Sequence, residues 1–229
     1  MEVPVLLVEF EGVLADTAAL RRSALTESLA VDGIAVNAAL LRLVAGQHTE
    51  EAIRRIRDSV GAPDDPTALE ISRLRAERAF AERAGKGLKL QLGAREALER
   101  LSAVVRLALV TRASRREVEF VLDLAGMESL FRPVITLEDT ARAKPSSEPY
   151  AAALKRVGEL FPGQVLRGVA VEDSVAGVRA ARAAGLFTVL VGDVAPHEAM
   201  EADSWVESLV DLTPDRVRAI IGHAAKGTR

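Results

Sequence analysis

The chain has 229 residues, 49% hydrophobic and 28% charged, with a formal net charge of −3 and no cysteine. That length accommodates one large domain, or a domain carrying an inserted subdomain, and the charge gives no electrostatic reason to expect nucleic acid or an anionic membrane as a partner. The missing cysteines exclude disulfides, thiolate nucleophiles and cysteine metal sites and suit a cytoplasmic location; no apolar run approaches the ~18 residues of a membrane span, and no basic stretch leads the first one as in a signal peptide.

The first apolar run, Val3–Val8, reads as a buried strand that ends in two acids, Glu9 and Glu11, followed by Gly12. Residues two apart on a strand share a side, so this spacing predicts two carboxylates projecting together. Crowded there, they are costly unless a cation or a reaction uses them. Asp16 and Thr17 are placed to cap the next helix. From Ala18 to Leu88 the pattern is helical throughout, as Ala18–Ala30, Asn37–Ala45, Glu50–Val60 and Thr67–Ala84, broken by loops rich in Gly and Pro.

A second short apolar run, Arg106–Val110, leads into Thr111 and Arg112. Ser114 and Glu117 form a capping-box pattern that opens an amphipathic helix to Ala125. The third run, Pro133–Thr136, precedes Lys144-Pro145 and a helix over Ser147–Leu160. The fourth, Gly168–Val171, ends in Glu172-Asp173-Ser174, with a helix to Ala184 closed by Gly185 as its C′ residue. The fifth is Phe187–Val191. Trp205 reads as core, His197 and His223 as surface residues, and the tail from Gly222 as frayed.

Strands apolar throughout and alternating with helices predict an α/β protein with a doubly wound parallel sheet. The gap after the first strand is too long for one crossover helix. It predicts an inserted α-helical cap subdomain at 18–88, with the core formed by 1–17 and 89–229. In such sheets the site lies at the carboxyl ends of the strands. A hydroxyl such as Thr111 beside a helix start suits phosphate, and acids such as Glu172 and Asp173 can complete an all-oxygen Mg²⁺ site.

These four segments, in this order, resemble the four motifs of the haloacid dehalogenase (HAD) superfamily, and the resemblance runs over nearly the whole chain. The first motif of that family is Asp-x-Asp-Gly-x-x-x-Asp-Ser/Thr; here Glu9-Phe10-Glu11-Gly12 carries Glu at both leading Asp positions. The branch most similar contains phosphoglycolate phosphatase and β-phosphoglucomutase, with a helical cap after motif one. The resemblance implies a HAD Rossmann-like core and a Mg²⁺ cofactor. It makes Glu9 the nucleophile and Glu11 the acid/base. Thr111, Arg112 and Lys144 become the phosphate-binding groups. Glu9, Glu11 (through its carbonyl), Glu172 and Asp173 become the metal ligands.

Departures from the family pattern narrow the activity. An acid at Glu11 argues against dehalogenation, and the absence of lysine between Asp16 and Gly85 argues against a Schiff-base phosphonatase. His48 and Thr49 stand where the cap of this branch presents specificity residues, and Thr49 replaces the arginine of the mutase phrase. The lead expectation is a Mg²⁺-dependent phosphatase of a small phosphorylated metabolite, slowed by the longer acids. The alternatives are a catalytically inactive relative that binds a phosphorylated ligand or a protein partner, and, behind it, a β-phosphoglucomutase-type phosphomutase.

Overall fold

A computed structural model describes residues 2–224; the tail expected to fray from Gly222 is still helical to Ala224, and its remainder lies outside the described residues. The chain divides into two compact units, Met1–Asp16 with Leu90–Arg229, and Thr17–Lys89. The first is a six-stranded sheet, parallel throughout, of order β3-β2-β1-β4-β5-β6. Its strands are β1 (Glu2–Val8), β2 (Arg106–Val110), β3 (Val134–Ile135), β4 (Val165–Glu172), β5 (Phe187–Val191) and β6 (Ser204–Val206).

In chain order the helices are α1 (Ala18–Val31), α2 (Ala38–Leu43), α3 (Thr49–Ser59) and α4 (Pro66–Gly87), which make up the second unit, then α5 (Ala94–Ser102), α6 (Arg115–Ala125), α7 (Glu148–Leu160), α8 (Val175–Ala183), α9 (Pro196–Ala199) and α10 (Pro214–Ala224). The α/β doubly wound architecture is the one read from the sequence. No described helix is long and apolar enough to cross a membrane.

Winding starts at β1, runs outward through β2 and β3, then returns to place β4 on the other flank of β1. The carboxyl ends of β1 and β4 therefore meet at the switch point, where doubly wound sheets bind ligands. β1 can be central because both of its faces are apolar: Val5, Leu6, Leu7 and Val8 are fully buried. Alternation puts Val3, Val5 and Leu7 on one face, packed with Ala108, Val110, Ala170 and the Tyr150, Ala153 and Val157 side of α7. In the helical unit, Leu25, Leu29, Ile53, Ile56 and Ala76 form the core.

Several elements differ from the sequence reading. β3 has two residues rather than the four of Pro133–Thr136, and β4 begins three residues early. Trp205 is not core: it sits on the edge strand β6, 38% exposed, with its indole N–H donating to the Gly192 carbonyl at 2.8 Å. Thr17 is the N-cap of α1 but makes no side-chain cap bond, and its buried hydroxyl has no hydrogen-bond partner among the described residues. His197 is exposed, as expected.

Ser114 does cap α6, its hydroxyl accepting from the Glu117 N–H at 3.3 Å. Ser114→Ala should lower stability by about 1 kcal/mol, the usual worth of such a cap, read as a shift in urea midpoint at constant slope.

Candidate active site

Main-chain geometry fixes the first part of the site. The Glu9 N–H donates to the Val171 carbonyl at 2.9 Å, extending the β1–β4 ladder one residue past β1. The chain then turns sharply: Leu14 and Ala15 both donate to the Phe10 carbonyl, and Phe10 is fully buried. Gly12 makes the turn possible with φ +81°, and a Cβ there would stand 2.0 Å from Asp173 Oδ2. β1 ends at Val8, so regular strand alternation stops short of Glu11.

Glu9 folds back on its own chain instead. Its Oε1 accepts from the Phe10 N–H at 2.6 Å and from the Glu11 N–H at 3.3 Å. Its Oε2 accepts from Lys144 Nζ at 2.5 Å. Lys144, buried, also donates to the Val110 carbonyl at 2.8 Å and to Glu172 Oε1 at 2.5 Å. One ammonium thus ties together the ends of β1, β2 and β4.

The loop bearing Lys144 is held by Asp139, which accepts from the Thr136 N–H at 2.8 Å, from Arg156 at 2.7 Å and from Arg115 at 2.5 Å. Arg115 opens α6 directly after the Thr111 loop, so Asp139 also fixes that loop. The Thr111 hydroxyl accepts from the Ala113 N–H at 3.1 Å, and Arg112 is half-buried beside it.

Two residues of the cluster were not anticipated. The Tyr150 hydroxyl donates to Glu172 Oε1 at 2.5 Å and lies 3.4 Å from Lys144 Nζ. Ser174 caps α8 through the Gly177 N–H at 3.1 Å and donates to Glu172 Oε2 at 3.3 Å. The sequence carried a signal for Ser174, which stands at the expected helix start, and none that set Tyr150 apart from the rest of the buried face of α7. Gly177 leaves room for the Glu172 carboxylate, which a Cβ would meet at 2.0 Å.

The structure thus brings Glu9, Lys144, Glu172 and Asp173 together beside the Thr111 loop. His48 and Thr49 lie in the helical unit, as the N-cap and first residue of α3.

Charge is unevenly balanced here. Burial alone would push Lys144 down, but the Glu172 and Glu9 carboxylates outweigh it and hold its pKa above the ordinary value. Burial raises Glu172 and, with Glu172 and Glu9 adding to it, carries Tyr150 well above 10. Burial, then the charges of Glu172 and Glu9, push Asp173 up to about 8. A site that resists ionising its last carboxylate has negative charge to spare for a cation. The donors are all hard oxygens, the chemistry Mg²⁺ takes. No three acids gather around one point among the described residues.

The comparisons with known proteins place the chain in a family. The family model described as haloacid dehalogenase-like hydrolase matches residues 6–191. The chain is 29% identical to Protein CbbY of Rhodobacter capsulatus over 96% of its length and 98% of the relative. It is 27% identical to validoxylamine A 7'-phosphate phosphatase of Streptomyces hygroscopicus subsp. limoneus, over 91% of this chain and 95% of that one. The crystal structure of CbbY from Rhodobacter sphaeroides in complex with phosphate superposes with TM-score 0.76 at 26% identity, covering 92% of this chain and 96% of that one. The β-phosphoglucomutase of Clostridium difficile shares the fold, with TM-score 0.80 at 17% identity over 98% and 99% of the two chains.

The pH dependence of stability follows from Asp173. With its pKa near 3.8 unfolded and about 8 folded, the folded chain binds the extra proton, so stability falls as pH rises between those values. The slope from this group is at most about 1.4 kcal/mol per pH unit. In metal-free buffer, Asp173→Asn should flatten it, measured by urea melts across that range.

Proposed function

We propose that this chain, which belongs to the haloacid dehalogenase-like hydrolase family, is a phosphatase of small phosphorylated metabolites that works through the Glu9 carboxylate. The observation that carries this reading is the convergence of Glu9, Lys144, Glu172 and Asp173 at the switch point of one parallel sheet. Relatives named for phosphatase activity, spanning nearly the whole chain, support it.

In this reading the phosphoryl group sits over the end of β1, its oxygens held by Lys144, Thr111 and the half-buried Arg112. Glu9 attacks phosphorus in line, forming a carboxyl–phosphate bond as the ester P–O bond breaks. Glu11 gives its proton to the leaving oxygen, then takes one from the water that attacks phosphorus and releases Glu9. Asp173 and the Glu11 main-chain carbonyl would hold Mg²⁺, with Glu172 in support behind Lys144. The bound ion supplies neutralising charge, without which the carboxylates would repel a phosphate.

Lys144 stabilises charge as it develops, the kind of contact whose loss commonly costs about a hundredfold or more. The extra methylene on Glu9, about 1.5 Å, makes the in-line geometry looser than an Asp would. A second reading, binding without turnover, rests on one observation: both Glu9 oxygens already have donors.

A screen of phosphomonoesters with Mg²⁺ decides between them. The phosphatase reading expects wild-type hydrolysis that Glu9→Gln lowers by at least about a hundredfold. If wild type turns over nothing while Glu9→Asp with Glu11→Asp does, the chain is a binder with a lapsed nucleophile.

A further inference from the structure

Two main-chain N–H groups and one ammonium converge on a single carboxylate at the end of β1. Phe10 N and Glu11 N aim at Glu9 Oε1, and Lys144 Nζ aims at Oε2. Such a set of donors is what an oxyanion needs: adjacent backbone amides form an anion-binding nest, and a cation completes it. Three of its features are built in. The amides are fixed by the turn that buries Phe10 and is closed through Gly12, whose N–H donates to the Ala15 carbonyl at 3.0 Å. Lys144 keeps its bonds to the Val110 carbonyl and Glu172, so it stays in place if Glu9 departs. The pocket is buried, with Glu9 only 7% and Lys144 only 5% exposed.

We infer that the Glu9 side chain is an intramolecular oxyanion mimic: it fills the cradle made by Phe10 N, Glu11 N and Lys144 Nζ, and a phosphoryl group must displace it to bind. The length of the side chain is what permits this. Reaching the amides of the next two residues and Lys144 at once requires the carboxylate to curl back over its own backbone. One carbon shorter, an aspartate still reaches the neighbouring amides, as short acids do in turns, but its carboxylate falls about 1.5 Å short of Lys144. Displacement and activation are then one motion, because the ligand that evicts Glu9 from the cradle also frees its carboxylate. The inference concerns the site of the proposed phosphatase and rests on that placement of the ligand, but it does not require turnover.

The test is the affinity of the full chain for inorganic phosphate, by titration calorimetry at fixed Mg²⁺, in wild type, Glu9→Asp and Glu9→Gln. Glu9→Asp keeps the charge and loses the reach. It should bind phosphate about tenfold more tightly, the worth of one charge-assisted hydrogen bond no longer displaced. Equal affinity in wild type and Glu9→Asp, with or without tightening in Glu9→Gln, overturns the inference, since charge alone would then govern binding. Failure of both proteins to bind phosphate at millimolar concentration also overturns it. Tighter binding by Glu9→Asp with no hydrolysis by any variant would leave this inference standing and remove the phosphatase reading. Hydrolysis by wild type with unchanged affinities would do the reverse.

Discussion

Lys144 is the contact on which the site depends. A buried ammonium is tolerable only if its donors are used, and here they reach the Val110 carbonyl, Glu9 and Glu172. Those three acceptors belong to the ends of β2, β1 and β4, the three adjacent strands at the middle of the sheet. Removing one partner from a buried ion pair strands the other, which commonly costs about 3–5 kcal/mol. The geometry of the strand ends is therefore not independent of the charge: if the ammonium is lost, Glu9 and Glu172 are two buried acids facing each other. Tyr150 and Ser174 complete the arrangement by occupying the lone pairs of Glu172 that Lys144 leaves over. Asp139, outside the cluster, bonds both the loop that delivers Lys144 and the start of α6, so it ties the second and third segments of the site to each other.

Much of this was legible from residue type and spacing. The apolar runs Val3–Val8, Arg106–Val110 and Phe187–Val191 are strands because they are buried on both faces, and a parallel sheet imposes that pattern. Elements with a weaker imprint were missed. β6 has three residues, too few for a period, and its Trp205 is half outside because it lies on an edge. The helix α5 did carry a stripe, Ala94, Ala97, Leu98 and Leu101, but two of the four are alanines, which mark a buried face faintly. Thr17 has the right residue type for a cap and the wrong backbone: its ψ of −10° is helical, so its hydroxyl does not face the free N–H groups it would serve.

For the site, sequence located the residues better than it oriented them. The order of acids, hydroxyl and lysine along the chain says which strand ends they occupy. The direction of a side chain with three rotatable bonds does not follow from a period of two, which fixes only the Cα–Cβ vector. Glu9 is the case in point: its Cβ leaves a strand end, but its carboxylate turns back to amides one and two residues on. Tyr150 escaped notice for a similar reason. It belongs to the buried stripe of α7, as any core aromatic would, and only the three-dimensional contact of its hydroxyl with Glu172 separates it from Ala153 and Val157.

The two glutamates therefore have a different meaning in three dimensions than in the sequence. Read along the chain, each is a defect of one methylene in a motif that demands aspartate. In the folded chain the extra length has a use, because it lets Glu9 satisfy donors that would otherwise face a buried void or solvent. Under the proposed reading, the carboxylate that attacks the phosphoryl group sits where the phosphoryl oxygens would bind, held by the same N–H groups. Selection on such a site acts on a balance. The tighter Glu9 holds the cradle, the better the empty protein is folded and the harder a phosphate must work to enter. On the other side of that balance stands Asp173, whose carboxyl burial and the charges of Glu172 and Glu9 keep from ionising readily. On this account, Glu9-Phe10-Glu11 is a site whose ground state is occupied by its own nucleophile, and the energy of that occupancy, rather than the methylene itself, decides how much chemistry survives.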